Sequence, residues 1–133
     1  IRLLQGCRFR EHLQAILLQG IAVAGFNVVD IQRLHGELGL PVIVVSRRRP
    51  DLEAVRRALL EKVPGGLRKW RLIQAAGQPE AAAGVWIQRA GISREPAQEL
   101  VARLALNGHI PEPLRTAHLI ASVFTPEGSR QRV

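Results

Sequence analysis

Residues 41–45, Pro-Val-Ile-Val-Val, constrain the fold more than any other stretch of the chain. A nearly unbroken β-branched run has no polar side to offer to water. It therefore fits a strand covered on both faces, as in a parallel sheet. Two further apolar runs read as strands, over residues 13–18 and 84–88. Between them the apolar residues recur at helical spacing. Residues 28–38 place Val28, Ile31, Leu34 and Leu38 on one face and stop at Gly39. Pro50-Asp51 opens a second helix with Leu52, Val55, Leu59 and Leu60 as its stripe, broken at Gly65-Gly66. A shorter helix is expected over 67–76, ending at Gly77, with a small-residue loop over 75–84. Ser93 is the expected N-cap of a helix over 94–106, closed by Asn107-Gly108. Pro111 and Pro113 introduce a last helix over 114–124. Strands alternating with helices imply α/β layering around a partly parallel sheet. Three strands make a thin sheet, so further strands are expected on its N-terminal side, outside this sequence.

Composition narrows the class. The chain has 133 residues, 47% of them hydrophobic, enough to build one core without disulfides or a structural metal. A single domain over residues 1–125 is expected, followed by a polar, basic and mobile tail over 126–133. Cys7 is the only cysteine, which excludes a disulfide scaffold and a multi-cysteine zinc site and fits a reducing, cytoplasmic setting. No run approaches the roughly 18 uninterrupted apolar residues of a membrane span, and the first residues lack the pattern of a signal peptide. Nineteen basic residues against eleven acidic ones give a net charge of +8. All but Lys62 and Lys69 of the basic residues are arginines, which suit bidentate contacts to phosphate. Nucleic acid is one reading of that charge; a genome that favours arginine on any surface is the other.

Three segments could carry chemistry. The first, residues 19–30, runs from a strand end through a glycine-bearing loop into a helix, where ligands gather in open α/β sheets. It matches neither GxGxxG nor the P-loop pattern. Asn27 and Asp30 are placed either to contact substrate or to cap the following helix. The second is Ser46-Arg47-Arg48-Arg49, also at a strand's carboxyl end, where guanidinium groups can clamp a phosphate; a solvated charge run is the plain alternative. In the third, residues 108–118, Glu112, Arg115 and His118 recur every three residues and can share a helix face. Such a trio suits metal or phosphate chemistry, while an acid at a helix N-terminus is also ordinary dipole complementation. His12 and His35 have no patterned neighbours and are given structural roles.

These same segments resemble the endonuclease dU family, also called DUF99 or UPF0215. The resemblance is carried by Gly25-Phe26-Asn27-Val28-Val29-Asp30-Ile31, then by residues 39–48, GLPVIVVSRR. It resumes at Ala90-Gly91-Ile92-Ser93, runs through residues 108–122, GHIPEPLRTAHLIAS, and ends on Glu127-Gly128-Ser129-Arg130. The wider endonuclease V group is similar too, through its Pro-Glu-Pro-x-Arg-x-Ala-[Asp/His] run, which residues 111–118 reproduce.

The resemblance implies an RNase H-like mixed sheet flanked by helices. It also implies a DNA-repair endonuclease that hydrolyses phosphodiesters with magnesium, near deoxyuridine or other deaminated bases. The strand-end aspartate of the group falls on Gln19, which brings no charge to offset a metal. The lysine of its Val-Ala-Lys motif falls on Arg47, which keeps the charge but cannot exchange a proton. His118 falls where the group carries Asp or His. These three are the implied catalytic positions. Gly25, Phe26 and Gly91 are candidates for close approach to the base, with Asn27, Asp30, Arg48, Glu112 and Arg115 as further substrate contacts. The family's first motif, of Gly-Ile-Asp-Asp-Gly character, is expected upstream of Ile1, so this stretch alone is not expected to complete a metal centre. DNA containing deaminated bases is the implied partner, and a homodimer is possible because a cut sheet edge invites pairing. The competing readings are a non-catalytic nucleic-acid-binding protein on the same fold and a subunit-assembly module.

Overall fold

In the computed structural model, which describes residues 1–124, the elements follow in chain order. α1 (Arg2–Gln5) and a 3-10 turn (Arg10–His12) precede β1 (Ile16–Gln19), β2 (Ala22–Val23), β3 (Asn27–Val28) and α2 (Ile31–Leu38). Then come β4 (Val42–Ser46), α3 (Leu52–Lys62), α4 (Gly66–Ala75), β5 (Glu80–Ala82), β6 (Val85–Ala90), α5 (Arg94–Leu104) and α6 (Glu112–Val123). The main sheet has the order β1-β4-β6-β5, and β2 and β3 form a separate hairpin. β1 runs parallel to β4, from Ile16 opposite Val42 to Gln19 opposite Val45. β6 lies antiparallel on the other side of β4, with Val44 opposite Gln88 and Ser46 opposite Trp86. The sheet is therefore mixed and is flanked by helices.

β4 is buried on both faces because every residue from Val42 to Val45 is apolar and strand side chains alternate. Val42 and Val44 pack with Ile31, Leu34 and Leu38 of α2, and with Ala90. Ile43 and Val45 pack with Ala97 and Val101 of α5, Leu114 of α6, and Val85 and Ile87. Full burial of each such side chain stabilises by about 1.5–3 kcal/mol. The two faces are thus committed to different helices, and this alternation later decides which pocket each strand-end residue enters.

Several boundaries differ from the sequence reading for local reasons. The strand expected over 13–18 begins at Ile16 and ends on Gln19. The helix expected from Val28 begins at Ile31, because Asp30 caps it by accepting from the Arg33 N–H at 3.0 Å, and Val28 pairs with Ala22 in the hairpin. Gly39 does end α2, in the left-handed conformation. Asp51 caps α3 through the Ala54 N–H. Ser93 occupies the N-cap of α5 with extended backbone but makes no side-chain capping bond. The last helix opens two residues early, since Pro113 lies in the first turn, where its missing N–H breaks no helical bond. The small-residue loop contains β5, joined to β6 by Ala83 and Gly84, both with positive φ as a two-residue hairpin turn requires. The tail expected over 126–133 lies outside the described residues. Among the described residues no helix is long and apolar enough to cross a membrane.

Candidate functional site

β1 and β4 are parallel, so their carboxyl ends finish side by side, and both candidate loops leave from that edge. The alternation of side chains then sorts the residues. Gln19 and Arg47 face the α6 side, where they line a small cavity of about 120 Å³ with Ile110, Arg115, His118 and Leu119. Arg47, Ile110 and Arg115 also line an adjoining groove of about 510 Å³ with Asn107, His109, Gly84 and Val85. The chain neighbours of the two strand-end residues, Gly20 and Ser46, enter a different pocket on the opposite face. That pocket, about 270 Å³, is lined chiefly by apolar residues, among them Ile21, Gly25, Phe26, Val28, Leu59 and Ile73; Ser46 and Gln88 supply its polar groups.

The charged groups are held unequally. Arg115 is paired with Glu112 at 3.1 Å across one turn of α6 and also donates to the Asn107 carbonyl. Asn107 in turn donates to Glu112 at 3.5 Å. Glu112 thus orients a guanidinium toward the groove. Among the described residues, Arg47 has no acidic partner, and its positive charge is left open to a ligand. Arg49 lies over the Trp86 ring at 5.4 Å from its centroid, and Arg48 is exposed beside it. The arginine run is therefore divided, and only Arg47 reaches the groove.

The remaining expected contacts are placed as follows. Gly25 and Phe26 belong to the apolar pocket, with Phe26 48% exposed at its mouth. Asn27 donates its side-chain amide to the Ala24 carbonyl and so braces the hairpin turn. Asp30 spends its carboxylate on the α2 cap. Gly91 follows β6, which runs antiparallel, and so lies at the opposite edge of the sheet. A Cβ there would collide with the His35 ring, whose Nδ1 is 2.8 Å from the Leu40 carbonyl oxygen. The missing side chain of Gly91 makes room for His35. Ser46 and His109, which lie in the second and third candidate segments, line the pockets, as do Gln88 and Asn107, which the sequence offered only as strand and helix-end residues. For Gln88 the visible signal is a polar residue directly after the apolar Val85-Trp86-Ile87 run.

Among the described residues no three His, Cys, Asp or Glu side chains come together as a metal site. Around the small cavity the donors are the Gln19 amide and the His118 imidazole, with no carboxylate free of an arginine. Magnesium favours oxygen ligands that include carboxylates, so this set alone does not fit it.

A family model described as endonuclease dU matches residues 1–125. A UPF0215 protein of Deinococcus radiodurans is 59% identical over 124 residues, covering 92% of this chain and 64% of that protein. A UPF0215 protein of Methanothermobacter thermautotrophicus is 43% identical over 133 residues, covering 98% of this chain and 65% of its own length. The chain thus spans a little under two thirds of these relatives. The crystal structure of a protein of unknown function from Archaeoglobus fulgidus superposes with a TM-score of 0.87 at 36% identity. That match covers 92% of this chain and 70% of the other.

Proposed function

The chain belongs to the endonuclease dU family, and from that membership we propose that it is part of a DNA-repair endonuclease acting beside deoxyuridine or another deaminated base. The observation that carries the reading is the division of the strand ends. Gln19 and Arg47 open toward a basic groove, while their neighbours Gly20 and Ser46 open into an apolar pocket. A nucleotide bent over this edge sets its phosphate against Arg47 and Arg115 and its extruded base among Gly25, Phe26 and Ile21. Arg47 stabilises charge developing on the phosphate without exchanging a proton. His118, on the same cavity, is the side chain able to carry one. The net charge of +8 favours the encounter with DNA.

Magnesium dependence belongs to the same proposal but needs carboxylates beyond those described. The poor fit of the present donors favours, for this chain taken alone, a second reading as a nucleic-acid-binding unit without catalysis. The test is a labelled duplex with one deoxyuridine, incubated with the product of the whole gene in magnesium or in chelator. Nicking beside the deoxyuridine only when magnesium is present is the expected outcome. A product that binds this duplex without ever nicking it leaves the binding reading in place.

A further inference from the structure

Among the described residues Gln88 is the one buried polar side chain, with 4% of its surface exposed. It lies on β6 opposite Val44, and its side chain reaches the apolar pocket. Its Nε2 donates to the Gly77 carbonyl at 2.7 Å. That bond fixes the amide, because a flip would set oxygen against oxygen. Among the described residues no donor reaches Oε1. Nor does any fully buried side-chain oxygen or nitrogen lack a partner, so Oε1 keeps an accessible edge. Gln88 is buried as a residue and lines the pocket, so this oriented acceptor edge is left at the pocket wall.

We infer that Gln88 separates deaminated bases from their amino parents in this pocket, as a fixed acceptor that reads a ring N–H of the bound base. The inference rests on the base-pocket reading above. Deamination changes the hydrogen-bonding sense of one ring atom: N3 of cytosine and N1 of adenine are acceptors, whereas the same atoms in uracil and hypoxanthine carry hydrogen. A fixed acceptor attracts the second pair and repels the first. Ser46 cannot discriminate in this way, since a hydroxyl rotates to donate or accept. Sites built around a fixed polar group reject analogues that leave that group unpaired. Thymine carries the same N–H as uracil, so Gln88 reads the ring nitrogen and not the 5-position. At about 270 Å³ the pocket falls just below the roughly 300–1,000 Å³ typical of drug-sized ligands, a scale suited to one base.

The experiment measures binding of the chain to single-stranded oligonucleotides that differ at one position: deoxyuridine, deoxycytidine or an abasic site. The unsubstituted protein is expected to prefer deoxyuridine over deoxycytidine by about tenfold, the effect of one buried hydrogen bond gained against one acceptor clash. Gln88→Met keeps the length and apolar bulk; it should bring that ratio close to one while leaving the abasic affinity unchanged. An undiminished ratio in Gln88→Met overturns the role of Gln88 and leaves the base pocket standing. Equal binding of all three oligonucleotides by the unsubstituted protein overturns the base-pocket reading itself. A second arm needs no variant: 2-pyrimidinone at the same position, whose N3 is an acceptor, should bind as weakly as deoxycytidine. Binding as tight as deoxyuridine overturns the inference even if Gln88→Met fails to fold.

Discussion

Ser46 and Arg47 are neighbours in the chain yet line pockets on opposite faces of the sheet, and the proposed site rests on that one-residue switch. Arg47 is exposed and without an acidic partner among the described residues, so its charge is available to phosphate. Arg47→Gln should weaken DNA binding and reduce the slope of log K against log salt by about 1, the loss of one phosphate contact. An unchanged slope would assign Arg47 a structural role. Asp30 is the opposite case. Its carboxylate caps α2, so Asp30→Ala should lower stability by about 1 kcal/mol in denaturant unfolding. Its DNA affinity should stay at the unsubstituted value; a matching loss of affinity would return Asp30 to the substrate contacts. From sequence the cap and contact readings of Asp30 stood level, since both ask for a short acid before a helix. Gln88 escaped notice because its role depends on which face of β6 it occupies, and that is set by the register with β4.

At the scale of elements, chain patterning revealed what is long and apolar and missed what is short. β4 is legible because burial on both faces demands continuous apolar residues, and β6 is legible through its opening Val85-Trp86-Ile87 run. The two-residue strands β2 and β3 are too brief to show any period, and β5 is hidden by alanines that pass for a loop. What secures β5 is partly ionic. Glu80 accepts from Arg89 Nε at 2.9 Å and Nη2 at 3.1 Å, while Arg89 also donates to the Ile92 carbonyl. The Arg89 hydrogen bond holds the Glu80 carboxyl below its ordinary value of 4.5, against the opposing effect of burial. A depressed folded-state pKa contributes stability that is present above the ordinary carboxyl value and lost as pH falls toward the folded one. With both side chains about one third exposed, the pair contributes under about 1 kcal/mol near neutrality. Glu80→Gln should therefore be less stable than the unsubstituted chain at pH 7, and the gap should close as pH falls from 4.5 through the lowered folded-state value. Denaturant midpoints across that range check it; a gap that widens in acid would refute the assignment.

For the whole molecule, the open question is what meets the edge of the sheet. Among the described residues β1 pairs with β4 alone, which leaves its other side as an edge of this sheet. α6 packs on this strand and exposes Leu119, Ile120, Val123 and Phe124, each more than half accessible. The alternation of strands and helices announced the layers, but not the strand order or which strand stands at the edge, since both depend on pairings distant in sequence. An exposed apolar helix face beside an open strand favours association, ordinarily as a two-fold dimer. The net charge of +8 opposes it by repulsion between like molecules. Raising the salt concentration screens that repulsion. Light scattering on the 133-residue chain should therefore show a mass rising above 14.7 kDa with concentration, and rising further with salt. Ile120→Glu combined with Phe124→Glu should return it to the monomer. The proposed DNA binding should respond to salt in the opposite sense, weakening as counterions compete for phosphate. A single salt titration followed by both measurements thus separates the two surfaces. A mass fixed at 14.7 kDa throughout would show that the α6 face and the β1 edge do not drive association.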